Sequence, residues 1–182
     1  YTTLFRSQIA GFSTTQIAAL SATNFSALTA DQVGALSVTQ IRAVTTVQLA
    51  ALTTTDIGEF TATQIGALSA VQLGAVNTTN FGQLSSTQLA GLTATQIGGL
   101  SRTNLSALDA TQFGALNDTQ IRGLTNTQLT ALSTTDLGEF TATQISALTR
   151  TQISVITATQ IAALDETQIG GLTGTQIGAF TV

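Results

Sequence analysis

The feature that most constrains this chain is a strict period: Gln, Asn or Asp stands at every position divisible by eight, from Gln8 to Gln176. The next residue is always apolar, from Ile9, Ile17 and Phe25 to Ile177, and a second apolar residue follows three positions later, from Phe12, Leu20 and Leu28 to Phe180. A short polar residue comes next in each octad. Ser13, Thr29, Asn77 and Asp109 represent the four types used, and these are the side chains that best cap helix N-termini. A chain of 22 such octads has no sequence variety from which to build an irregular core. It must stack equivalent short elements, each covering the apolar side of its neighbours.

The local chemistry points to helices. In the octad around Thr93-Ala94-Thr95-Gln96-Ile97, Thr93 reads as an N-cap and Gln96 as the third helical residue. The Thr hydroxyl then accepts from the Gln96 N–H while the Gln amide oxygen accepts from the Thr93 N–H, and Leu92 with Ile97 forms the matching hydrophobic staple. Each octad is therefore predicted to start a helix of roughly six or seven residues, about 10 Å long at about 1.5 Å per residue. Such a piece is unstable alone. One continuous helix is a poor solution, because eight residues at about 100° each overshoot two turns and the apolar stripe would spiral around the cylinder.

The resulting expectation is an all-α solenoid of very short helices, one per eight-residue repeat. Small pairs such as Gly34-Ala35, Gly66-Ala67 and Gly98-Gly99 would let those helices approach closely. The alternative is a β-solenoid with sixteen-residue coils, resembling that of ice-nucleation proteins, since Thr, Ile and Val favour strands and each Gly costs a helix roughly 1 kcal/mol. Against the β alternative, the apolar spacing alternates three and five, whereas one face of a strand requires even spacing.

A longer period is nested in the first. Arg42, Asp56, Glu59 and Phe60 recur 80 residues later as Arg122, Asp136, Glu139 and Phe140, and Asn24 recurs as Asn104. This reads as duplication of a ten-octad block, which need not coincide with a solenoid turn.

Composition narrows the function. The chain contains no His, Cys, Met, Trp or Pro, and its five basic residues are all Arg. It therefore has no thiol nucleophile, no imidazole base and no disulfide framework, and we expect no enzyme and no cofactor. Charged residues make up 8% and the net charge is -4, which leaves no basic patch for nucleic acid. Ser, Thr, Gln or Asn interrupts every apolar run, so no membrane insertion is expected.

The start, Tyr1-Thr2-Thr3-Leu4-Phe5-Arg6-Ser7, resembles the in-frame translation of a sequencing adapter, and Phe5 stands where every later octad has Ser, Thr, Asn or Asp. We expect residues 1–7 to be a non-native segment on a metagenomic fragment whose natural ends are missing, and residues 8–182 to form a single octapeptide-repeat solenoid.

The pattern Thr-x-x-Gln-Ile/Leu-x-x-Leu across residues 8–182 resembles octapeptide tracts in large bacterial surface or secreted proteins. The resemblance implies a spacer or adhesive role and carries no active site. The expectation is a non-catalytic structural segment, spacer or protein-interaction scaffold of a larger extracellular or cell-surface protein. Its partner would be a protein, or a second copy through the solenoid ends. The alternative is a periodic Thr or Gln surface that adsorbs ice, glycan or mineral.

Few residues stand out as sites. Asp56 with Glu59, and Asp136 with Glu139, are three apart on one helical face and could share a hard cation, but two carboxylates are too few for a tight Ca²⁺ site. A carboxylate near a helix N-terminus has a simpler reading as a capping residue. The Gln column and the Thr column (Thr15, Thr23, Thr55, Thr63) read first as capping and solvent-facing positions. The acceptor patterns at Asn24, Asn77, Asn104 and Asn117 arise readily in Thr-rich repeats, and Arg42, Arg102, Arg122 and Arg150 are dispersed. No catalytic, cofactor or metal assignment follows.

Overall fold

A computed structural model describes residues 5–180, and among them are 22 α-helices, α1 (Arg6–Ala10) to α22 (Gly174–Ile177), one per octad, with no strand. The all-α reading holds and the β-solenoid does not. Residues 1–4 of the suspected adapter segment lie outside the described residues; Phe5 is the N-cap of α1, and Arg6 and Ser7 open that helix. The chain divides into two compact units, Tyr1–Leu92 and Thr93–Val182.

The helices are four to six residues long, as in Thr78–Phe81 and Thr14–Ala19, which is shorter than the caps alone predict. The second apolar residue of the octad leaves the helix: Leu20 (φ -59, ψ 136) and Val44 (φ -61, ψ 130) are already extended. That residue and the following cap turn the chain into the next helix. No described residue has a positive φ, glycines included, so the turns need no left-handed backbone.

Starts with Gln or Asp at the third helical position are held by reciprocal bonds, whereas those with Asn24, Asn80 and Asn104 lack the return bond. Gln16 N–H donates to Ser13 Oγ at 3.2 Å while Ser13 N–H donates to Gln16 Oε1 at 2.8 Å, and Thr93 with Gln96 repeats the pattern at 3.2 and 2.6 Å. This occupies two backbone N–H groups at each such helix entry.

The same glutamine ties one turn to another. In the first unit Gln48 Nε2 donates to the carbonyls of Ile17 (2.8 Å) and Leu20 (2.9 Å), and Gln64 Nε2 to those of Val33 (2.7 Å) and Leu36 (3.0 Å). In the second unit Gln128 reaches Ile97 and Leu100, and Gln160 reaches Leu129 and Leu132. Every one of these bonds spans four octads. Helix packing spans three: α2 (Thr14–Ala19) lies on α5 (Val38–Ala43) and α5 on α8 (Ala62–Ala67), while in the second unit α12 (Ala94–Gly98) lies on α15 (Asp118–Gly123) and α15 on α18 (Ala142–Ala147). Each unit is thus a helical solenoid that closes a turn between three and four octads. The arrangement repeats, one level up, the i+3 and i+4 contacts of a single helix.

The first apolar residue of the octad forms the inner core. Ile17, Ile41, Leu49, Ile65, Ile97 and Ile121 are fully buried, and the second apolar column, Leu36 or Leu124 for example, is nearly so. Close approach is confined to particular glycines. A Cβ on Gly66 would sit 2.3 Å from the Gly91 carbonyl oxygen, and one on Gly123 would sit 2.4 Å from that of Ala94, whereas Gly34 and Gly74 face open space. The expected tight contact therefore occurs at Gly66 and Gly98 and not at Gly34, because only the helix surface that meets the neighbour three octads away is crowded. No described helix is long and apolar enough to cross a membrane.

Two outcomes follow for stability. Gln48→Glu keeps the cap acceptor but loses the donor to two carbonyls and should destabilise by about 1–3 kcal/mol in urea denaturation, while the same change at exposed Gln16 should stay within about 0.5 kcal/mol. Gly123→Ala should cost about 1–3 kcal/mol through overpacking against backbone, and Gly74→Ala should add about 0.5–1 kcal/mol because its site is open and helical.

Candidate functional site

The surface is defined by which octad positions the turns consume. From Gln32 onward the described Gln and Asn residues of the ladder are buried, so the glutamine column is internal and offers no adsorbing row except at exposed Gln8, Gln16 and Asn24. The position just before it, occupied by Thr15, Thr23, Thr55, Thr63 and their equivalents, is exposed in every described octad. Val47 and Val71 at that position are 70% and 74% exposed, so it faces solvent whatever its polarity. Since stacking partners are three and four octads apart, threonines of consecutive octads leave different sides of the coil.

The two carboxylate pairs are placed alike in the two units. Asp56 belongs to α7 (Thr54–Gly58) and Asp136 to α17 (Thr134–Gly138), each at the third helical position. Asp56 Oδ2 accepts from Thr53 N–H at 2.8 Å and from the Ser26 hydroxyl; Asp136 Oδ2 accepts from Ser133 N–H at 2.9 Å and from the Ser106 hydroxyl at 3.0 Å. A carboxylate has no hydrogen to give the preceding turn, and a serine on that turn donates to it instead.

Glu59 and Glu139, the C-cap residues of the same helices, stand where other octads have mostly Gly or Ala. Both are half-buried, and each buries one oxygen, Oε2, without a hydrogen-bond partner. Burial pushes both carboxyls above the ordinary range, with a further upward push from Asp56 on Glu59 and from Asp136 and Asp109 on Glu139. The pairs are thus close enough to repel, but among the described residues no three acidic side chains gather in a shape that could hold a metal ion.

Among the other candidates, Arg122 Nε donates to the Ala147 carbonyl at 3.0 Å and so pins one helix to a neighbour, while Arg42, Arg102 and Arg150 are exposed. Asn77 and Asn117 spend their Oδ1 atoms as N-caps, on Asn80 and Gln120, and Asn104 is buried.

The chain matches the family model of the ALTTAQ repeat over residues 7–38. The matched stretch is about one glutamine reach in length and runs from the second residue of α1 through α4 (Ala30–Gly34), so the match supports a tandem-repeat protein. No curated protein matches the chain.

Two functional features escaped the pattern of caps and apolar sites. One is the donor role of the ladder amide, and its signal was available: a capping box accepts Glu as readily as Gln, yet the 22 ladder positions hold 17 Gln and no Glu. The other is the pairing of Ser26 with Asp56 and Ser106 with Asp136, which recurs at the 80-residue spacing but joins residues 30 apart.

The raised carboxyls set a pH dependence. A group whose pKa is higher folded than unfolded favours folding when protonated, so its contribution is present below the ordinary Glu range and is lost as pH rises through the folded value. Glu59→Gln/Glu139→Gln should therefore melt at a higher temperature than the parent at pH 7, with the gap closing toward pH 3. Equal melting temperatures at both pH values would refute the repulsion.

Proposed function

We propose that this chain is a non-catalytic structural segment, a spacer or scaffold of a larger secreted or cell-surface protein. The observation that carries the reading is the use of side-chain chemistry: the repeated amide binds backbone on two turns, and the repeated apolar pair fills the core. The groups left for solvent are mainly Thr, Ser and small residues. A solenoid of this kind gains length by adding octads without a new fold being needed at each step, which suits a spacer. The low charge and hydroxyl-rich exterior support an extracellular setting, and the ALTTAQ match over residues 7–38 supports a structural repeat region. The threonine column, which winds around the coil, gives less support to adsorption on a flat crystal or mineral face.

The test is length. The ten-octad duplication allows in-register deletion of residues 43–122, joining Arg42 to Gly123. A spacer predicts that the distance between labels at the two termini, measured by pulsed dipolar spectroscopy or small-angle scattering, falls in proportion to the octads removed, with helical circular dichroism per residue unchanged. A separation independent of octad number would refute it.

A further inference from the structure

Among the side chains that the spacer reading leaves unused are two asparagines at the cap position, Asn77 and Asn117. Each opens an acceptor pattern for an N-linked glycan, Asn77-Thr78-Thr79 and Asn117-Asp118-Thr119. The register of the octad creates this pattern. The residue two after any cap belongs to the exposed column, so an Asn cap followed by a column Thr completes it, whereas the Ser, Thr and Asp caps carry no amide nitrogen.

The fold separates these two patterns from the others. In Asn24-Phe25-Ser26 and Asn104-Leu105-Ser106 the asparagine stands on the ladder instead. The hydroxyls there are committed, Ser26 to Asp56 and Ser106 to Asp136, and Asn104 is only 3% exposed. At the cap register the geometry is the opposite: Asn77, Thr79, Asn117 and Thr119 are all exposed. Asn77 Oδ1 accepts from Asn80 N–H at 2.9 Å, and Asn117 Oδ1 from Gln120 N–H at 3.1 Å. Neither Nδ2 has a hydrogen-bond partner among the described residues.

We propose that Asn77 and Asn117 are attachment sites for N-linked glycans, donated by a lipid-pyrophosphate-linked oligosaccharide. Nδ2 bonds to the anomeric carbon, and the bond from that carbon to the pyrophosphate oxygen breaks. The lipid pyrophosphate leaves with the electron pair, and Nδ2 gives up one of its two hydrogens. The product is still an amide whose Oδ1 accepts, so the cap bond survives, and the sugar grows from the atom that the fold leaves unbonded. A bulky, solubilising group on the outside of the coil would keep neighbouring chains apart without touching the core. The proposal rests on the reading of a secreted or cell-surface setting, since the lipid-linked donor belongs to a secretory route.

Expression of the full chain behind a secretion leader in a eukaryotic host tests it, with mass spectrometry of the folded product before and after enzymatic release of N-glycans. Cleavage after Arg42 and Arg102 places Asn77 on a peptide with no second acceptor pattern, and fragmentation of the next peptide distinguishes Asn104 from Asn117. Glycans are expected at Asn77 and Asn117 and none at Asn104. The control is Thr79→Val/Thr119→Val, which removes both acceptor hydroxyls but keeps the caps, in a column where Val47 and Val71 already stand exposed. It should be secreted without glycan at either site, with the parent's helical circular dichroism and melting temperature. Bare Asn77 and Asn117 in the secreted parent, a glycan on Asn104, or a glycosylated parent that melts below the control would each overturn the proposal. Because the leader supplies export, bare asparagines count against the acceptor sites and not against the spacer reading, which is tested by length.

Discussion

The structure depends on one side chain used twice. The ladder glutamine accepts, through Oε1, the backbone N–H that its own helix leaves orphaned at the cap, and donates, through Nε2, to two carbonyls of an octad a full coil earlier. Helices of four to six residues cannot hold themselves by internal bonds, because nearly all their backbone groups are terminal. A side chain with one acceptor and two donors solves both ends at once, and burial makes the solution strict, since an unpaired amide in the core would cost about 1–3 kcal/mol.

The exceptions follow the same constraint. Asn80 has one methylene less and donates to the Leu52 carbonyl only, and its octad has no reciprocal cap bond. Asp56 and Asp136 keep the cap but reverse the sense of the cross-turn contact, so the serine sits on the earlier turn and the acceptor on the later one. Glu59 and Glu139 beside them are half-buried, and each buries one oxygen without a hydrogen-bond partner. The two carboxyls pushed above the ordinary range both lie in these octads.

Much of this was legible in the residues. The Ser/Thr-x-x-Gln spacing located the helix starts, and the Ile and Leu columns located the core. The even-spacing argument against strands held because the first apolar residue lies in a short helix and the second, three positions on, lies in the turn that follows it. Less legible were helix length and close approach. The helices end a residue or two early because the second apolar residue extends to make the turn, and the crowded glycines differ from the open ones only in which neighbour crosses them. Gly34 and Gly66 occupy the same octad position with the same Ala after them, yet one meets nothing and the other meets backbone.

By itself, then, the sequence determined the identity of the repeating element, its caps, its buried residues and the absence of thiol and imidazole chemistry, because these depend on contacts within one octad or on composition. Only the tertiary structure decided how many octads make a turn, where the amide sends its hydrogens, and which serine answers which aspartate. Those bonds join residues 25 to 31 apart in a chain whose octads are nearly identical, and a perfectly periodic sequence carries no mark of which copy meets which. That choice belongs to the geometry of short helices stacking three and four octads apart.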